Sequence, residues 1–257
     1  MLKWQDQKTQ ELNWQKTFLN IAFILIPGFL WWAAVSARPS VISTNCASHL
    51  AVCLKENLPI LDQFSLGIEN GVADQFSYWT QNLSGILGFL IPLLLGLVLY
   101  FTRKLSPIAA LILALTDLGI ILQTMAWNGF FTELSHFIGQ RPRPFVFIDP
   151  MTRGINPSHF TSFYSGHTSF TAATNIALLL MLIHRKIPLV VCAVYALLAE
   201  ALILSTAYFR IMAGRHFLTD VICGALAGTA ISFIIGYIQR YPKKSLAVYP
   251  PQPSLLE

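Results

Sequence analysis

Residues 83–101 read LSGILGFLIPLLLGLVLYF, a run without a single charged side chain. A helix of about 20 apolar residues crosses the roughly 30 Å hydrocarbon layer of a bilayer, and a run of this length reads as a membrane span. Comparable runs place further spans at 17–36, 108–127, 168–183, 187–208 and 218–238. The fourth of the six is the shortest, and its first residues include Thr168, Ser169 and Thr171, which call for burial against protein. The predicted fold class is all-α, a polytopic membrane helix bundle with about six transmembrane helices. Residues 1–16 read as a cytoplasmic or interfacial N-terminal segment, 17–238 as one membrane domain and 239–257 as a cytoplasmic tail.

Composition agrees. The 257 residues are 54% hydrophobic and 11% charged, with a mean hydropathy of +0.58, against roughly 25% charged residues in an average soluble domain. A formal net charge of +5 raises the question of nucleic acid. The basic residues, however, sit in short stretches beside apolar runs instead of forming a continuous binding stripe, so no nucleic-acid partner is expected. The run after Lys16 has the length of a full span and lacks a small-residue cleavage site, which predicts a retained first helix.

With six spans, Lys3, Lys8, Lys16, Arg103, Lys104, Arg185, Lys186, Arg240, Lys243 and Lys244 all fall on one side. The positive-inside rule makes that side, with both termini, cytoplasmic. The longer loops then face outward, one carrying Glu56, Asp62, Glu69 and Asp74 and the other running from Asn128 to His167. Trp31, Trp32, Trp79 and Trp127 fall near the outer boundary and Trp4 and Trp14 near the inner one, as interfacial anchors do. Residues 59–81 are read as an interfacial helix before the second span. Cys192 and Cys223 lie in apolar runs and read as packing, whereas Cys46 and Cys53 share a polar loop that permits a disulfide in an oxidising compartment.

Ionisable residues gather at the outer boundary from distant parts of the chain: Arg141 and Arg143, then Ser165, Gly166 and His167, then Arg210, His216 and Asp220. Guanidinium groups present planar forks of donors that match the several acceptor oxygens of phosphate. The same positive charge disfavours a metal, so a zinc reading of the His and Asp residues is the weaker alternative and no metal or cofactor is expected. Ser165-Gly166-His167 stands at the start of a span, where helix amides and dipole favour an anion, although alone it also fits an ordinary helix cap. His216 and Asp220 are four apart, a spacing that lets a carboxylate orient an imidazole and leave its other nitrogen free.

Three blocks carry a more specific signal: HFIGQRPRP at 136–144, YSGH at 164–167 and FRIMAGRHFLTD at 209–220. In order and internal spacing they resemble the type 2 phosphatidic acid phosphatase (PAP2) superfamily, membrane lipid phosphatase branch, whose pattern is KxxxxxxRP, PSGH and SRxxxxxHxxxD. The resemblance implies that His216 attacks phosphorus to give a phosphohistidine, that Asp220 orients it, and that His167 protonates the leaving oxygen. It further implies that Arg143, Arg210, Ser165 and Gly166 hold the phosphoryl oxygens, with His136 at the lysine position of the first motif. Histidine there is cationic only when protonated, which predicts activity weighted toward acidic pH. Tyr164 and Phe209 replace the pattern's proline and serine without removing a reacting group.

The function expected from this resemblance is metal-independent hydrolysis of a phosphate monoester or diphosphate on a membrane lipid, at an outward-facing active site in a bacterial inner membrane. Lipid-to-lipid phosphate transfer and non-catalytic lipid-phosphate binding are the alternatives. Members similar to this chain act on phosphatidate, phosphatidylglycerophosphate, undecaprenyl diphosphate or lipid A phosphates. Arg141 reads as a second phosphate contact or a headgroup anchor, Arg215 as a contact to lipid or acidic groups, and Arg153 and His159 as candidates for substrate selection. Asp117 and Glu200, inside spans, each require a partner or a proton.

Overall fold

The computed structural model describes residues 14–103 and 105–239, with side chains from Phe18 onward. The expectations for most of the segment 1–16, for Lys104 and for the tail from Arg240 lie outside the described residues. In chain order the α-helices are α1 (Trp14–Val41), α2 (Ile60–Gln63), α3 (Gly71–Thr102), α4 (Pro107–Gly139), α5 (Pro150–Arg153), α6 (Gly166–His184), α7 (Leu189–Met212) and α8 (Leu218–Ile238). There is no strand among the described residues. Six of the helices (α1, α3, α4, α6, α7 and α8) are long and apolar enough to cross a membrane, and the chain is an integral membrane protein.

α1 runs about a turn past its predicted end at Ser36, to Val41, and two other helices outrun their predicted spans by far more. α3 begins at Gly71, so the second part of the segment read as a separate interfacial helix, 71–81, is the outer end of the second span. Asn70 starts it by accepting from the amides of Val72 and Ala73. Its 32 residues extend about 48 Å, well beyond the hydrocarbon layer, and this overhang carries Asp74 and Ser77 to the site. α4 likewise continues past Trp127 to Gly139, burying Asn128, Thr132, Glu133 and His136. Polar residues ended the apolar runs in the sequence, yet each of these helices continues because tertiary partners receive those side chains.

α6 is the central helix, packed against α3, α4, α7 and α8. Small residues set its approach to α8: Gly228 lies against the Ser169 carbonyl, Gly224 against the Ser165 carbonyl, and Ser232 Oγ donates to the Ala173 carbonyl at 2.7 Å. A Cβ at Gly228 would overlap the Ser169 oxygen, which is backbone and cannot rotate away. Gly228→Ala is therefore expected to push α8 from α6 and destabilise the protein by about 1–3 kcal/mol, as overpacking does. Thermal unfolding in detergent checks this, and an unchanged midpoint would contradict it. Trp31 similarly seats its ring on Gly129 and so packs α1 onto α4, beyond any anchoring role.

At the end opposite the site, Asp117 of α4 finds its partner. Arg185 binds it through Nε and Nη2 at 2.9 and 2.6 Å, and Arg103 donates to the Arg185 carbonyl at 3.0 Å. On the site's end, Cys46 and Cys53 form a disulfide that packs with Ile42, Phe145, Val146 and Phe160. The Cys46 amide donates to the Gly154 carbonyl at 2.9 Å, so this cluster backs the 141–160 loop from behind.

Candidate active site

His216 lies in the turn between α7 and α8, fully packed, with its Nδ1 2.7 Å from the Ser162 carbonyl. A carbonyl only accepts, so Nδ1 carries the proton and Nε2 keeps its lone pair. Burial, followed by the positive charges of Arg210 and Arg143, holds the imidazole pKa well below the ordinary histidine range. The ring is thus neutral and held in a single tautomer.

The partner of Nδ1 differs from the one expected. Asp220 Oδ2 stands 4.0 Å from His216 Nδ1 and instead accepts from Ser162 Oγ at 2.6 Å and from the Phe217 amide at 3.0 Å. The i,i+4 argument assumed one continuous helix through both residues, but α8 starts at Leu218, after His216. Asp220 sits at the third position of α8 and its carboxylate turns back to cap that helix. It acts on His216 through Ser162, whose hydroxyl it holds while the same residue's carbonyl holds the ring.

Arg141 also proves structural. Its Nη1 reaches Asp220 Oδ1 at 2.5 Å and Thr219 Oγ1 at 2.8 Å, its Nη2 reaches Asp62 Oδ2 at 2.6 Å, and its guanidinium covers the Phe217 ring at 4.3 Å. With these contacts to protein, it straps the outer loop to α8.

The other arginines leave donors open. Arg143 spends Nη2 on Thr161 Oγ1 at 2.9 Å, and its buried Nε has no hydrogen-bond partner among the described residues. Arg210, in the last turn of α7, spends Nη1 on Asp74 Oδ1 at 2.8 Å and Ser77 Oγ at 3.2 Å, and its buried Nε is likewise unpaired. His167, in the first turn of α6, stacks edge-on against Tyr78 at 4.6 Å and also carries a buried, unpaired Nε2. Arg143 and Arg210 act electrostatically on both His167 and His216, which places these four groups around one centre. Buried polar atoms are rarely left unpaired, so three such nitrogens around a neutral imidazole define a polar ligand site.

Ser165 and Gly166 open α6 beside this centre. The Ser165 amide donates to the Asp220 carbonyl at 3.1 Å, and its hydroxyl meets Thr168 Oγ1 at 3.0 Å. The first amides of α6 have no acceptor within the helix, as at any helix start. A Cβ on Gly166 would meet Thr132 Cγ2 at 3.0 Å.

His136 departs from the expected phosphate contact. Its Nδ1 faces Glu133 Oε2 at 3.4 Å and its Nε2 the Tyr164 carbonyl at 3.3 Å, so both ring nitrogens are engaged by protein. Arg215 pairs through Nε and Nη2 with Asp74 at 3.2 and 2.8 Å. Together with Glu69, Phe145, Arg153 and His159, these two residues line an outer cavity of about 350 Å³. Arg153 and His159, the candidates for substrate selection, therefore do reach a cavity beside the site. Asp62, Asp74, Ser77, Tyr78 and Ser162 carried no sequence signal for the site; each contributes through a contact distant in the chain.

A membrane helix bundle with a buried neutral histidine and open guanidinium donors at one end is the frame of an anion-binding, phosphoryl-handling protein. The sequence model of the PAP2 superfamily matches residues 117–244, and the chain belongs to that superfamily. The match takes in Arg143, Ser165-Gly166-His167, Arg210, His216 and Asp220. Comparison with curated proteins gives no match. Among solved structures, the chain is similar to the transmembrane PAP2-type phosphatidylglycerolphosphate phosphatase from Bacillus subtilis, at 18% identity and a TM-score of 0.48, covering 88% of this chain and 98% of that one.

Proposed function

We propose that this protein is a lipid phosphatase that hydrolyses a phosphate monoester or diphosphate through a phosphohistidine, without a metal. The observation that carries this reading is the neutral His216, its proton fixed on Nδ1 by the Ser162 carbonyl, beside the unpaired Nε atoms of Arg143 and Arg210 and Nε2 of His167. In the first step the His216 Nε2 lone pair forms the P–N bond as the P–O bond to the lipid breaks, and His167 gives its proton to the leaving oxygen. In the second, His167 takes a proton from water, whose oxygen attacks phosphorus and releases inorganic phosphate and His216. Arg143, Arg210 and the first amides of α6 stabilise the equatorial oxygens, where charge accumulates. The cationic donor set supplies this charge stabilisation itself.

The proposed topology puts this site on the periplasmic or outer side of a bacterial inner membrane, with both termini cytoplasmic. Arg103, Arg185 and Lys186 at the opposite end support it, as does a disulfide on the site's side, since such bonds persist in oxidising compartments.

The test is phosphate release by purified, detergent-solubilised protein from a panel of lipid phosphates and diphosphates with EDTA present. Release that survives EDTA supports the reading. A labelled phosphate found on a second lipid instead of in solution would turn it into phosphotransfer, and no turnover on any lipid would leave binding alone.

The depressed pKa of His216 fixes the pH dependence. The attacking form is the neutral ring, so activity is lost as pH falls through its pKa. That pKa lies well below the ordinary histidine value, so the acid limb of kcat/KM, which reports the free enzyme, is expected below the ordinary histidine range. An acid limb centred on the ordinary histidine value would show that His216 is not protected from protonation.

A further inference from the structure

The first motif's histidine is the centre of a chain of contacts that starts on α1 with the partly exposed Arg38 and runs inward through buried Glu133. Arg38, near the outer end of α1, clasps Glu133 of α4 with two hydrogen bonds, Nε to Oε2 at 2.6 Å and Nη2 to Oε1. Glu133 is 2% exposed, and a carboxylate at that depth is tolerable only when paired and hydrogen-bonded. Its Oε2 also faces His136 Nδ1, and His136 Nε2 faces the Tyr164 carbonyl. One residue along, Ser135 Oγ accepts from the Tyr164 amide at 3.2 Å while its own proton is shared between the Thr132 carbonyl at 2.7 Å and the Phe163 carbonyl at 3.2 Å. From the far side α8 holds the next residue, through the Ser165 amide and the Asp220 carbonyl. His167 follows two residues later, so its placement is set by a turn pinned between α4 and α8.

We propose that Arg38, Glu133 and His136 are positioning residues: a relay from α1 that holds the 163–165 turn and thereby aims His167 at the leaving oxygen. Arg38 lies outside residues 117–244, so the relay ties the matched core to a helix beyond it. At the position where the family pattern has a lysine for phosphate, this chain has a ring whose two nitrogens both face protein acceptors, Glu133 and the Tyr164 carbonyl, instead of the centre. The inference rests on the phosphatase reading and deepens it, because a relay acting on the general acid has a chemical signature that a structural ion pair lacks. General acid catalysis matters most for a poor leaving group and little for a good one.

The experiment compares first-turnover release of the alcohol from benzyl phosphate and from para-nitrophenyl phosphate, in full-length wild type, Glu133→Gln, Arg38→Ala and Arg38→Lys. Both substrates are small aromatics, and only their leaving groups differ strongly. In Glu133→Gln and Arg38→Ala, benzyl phosphate is expected to slow by about 10- to 100-fold, a part of the full general-acid contribution, while para-nitrophenyl phosphate changes by less than about 3-fold. Arg38→Lys, which keeps the charge and loses the two-pronged geometry, is expected between them. The ratio of the two rates is independent of how much of each preparation is folded. An equal loss on both substrates, or none on either, would overturn the relay. Absence of alcohol release and of phosphohistidine in the wild type would instead overturn the phosphatase reading and the relay with it.

Discussion

His216→Ala is expected to lower phosphate release by on the order of 10⁴-fold or more on every substrate, and to abolish covalent labelling by phosphate. The magnitude follows from the role, since removal of a nucleophile leaves only the binding and electrostatic parts of the site. The variant should still fold. Among the described residues the His216 side chain makes one hydrogen bond, to the Ser162 carbonyl, while Ser162 Oγ and the Phe217 amide remain on Asp220 and the Arg141 strap is untouched. Arg143 and Arg210 also remain, so the variant is expected to keep binding lipid phosphate while failing to turn it over. Two measurements separate the possibilities: turnover, and retention on vesicles carrying a lipid phosphate. Loss of both together would point to collapse of the site, and retained turnover would assign the nucleophile elsewhere.

The spans were readable because lipid demands continuous apolar runs, and continuous runs are local. The closeness of Arg143, His167, Arg210 and His216 was readable for a different reason: all lie at or just beyond helix ends on one side of the bundle, so the spans alone bring these candidates near one another. What escaped the sequence depends on tertiary partners. Asp74 and Ser77 fall in the stretch read as an interfacial helix outside the span, yet α3 runs unbroken through them to reach Arg210 and Arg215. The Ser162 carbonyl that fixes the His216 tautomer is backbone, and no side-chain pattern announces it. Asp220 lies near His216 as its spacing implies but hydrogen-bonds a different immediate neighbour, because the helix it caps begins two residues after His216. His136 took its expected role from the family resemblance, and a matched pattern gives a position along α4 without saying that Glu133 and Arg38 wait beside it. Arg141, finally, was left between two roles, and neither foresaw carboxylates from Asp62 and Asp220 meeting at one guanidinium.

His167→Ala should be the second most damaging single change, and its effect should divide by leaving group. With a lipid alcohol or benzyl alcohol leaving, the loss of a positioned proton donor is expected to slow the first step by about 10²- to 10⁴-fold. With para-nitrophenol leaving, the first step needs little proton transfer and should proceed nearly as in wild type. The second step then stalls, because the same imidazole must take the proton from the attacking water. The expected record is a burst of para-nitrophenol equal to the enzyme concentration, followed by slow turnover, with phosphohistidine accumulating where the wild type shows little. This follows from geometry: His167 Nε2 is buried and unpaired, its ring is braced against Tyr78, and it lies in the field of the same two arginines that surround His216. A uniform loss on both substrates with no burst would make His167 a binding group for the phosphoryl oxygens. Proton transfer at both steps would then have to come from elsewhere in the site.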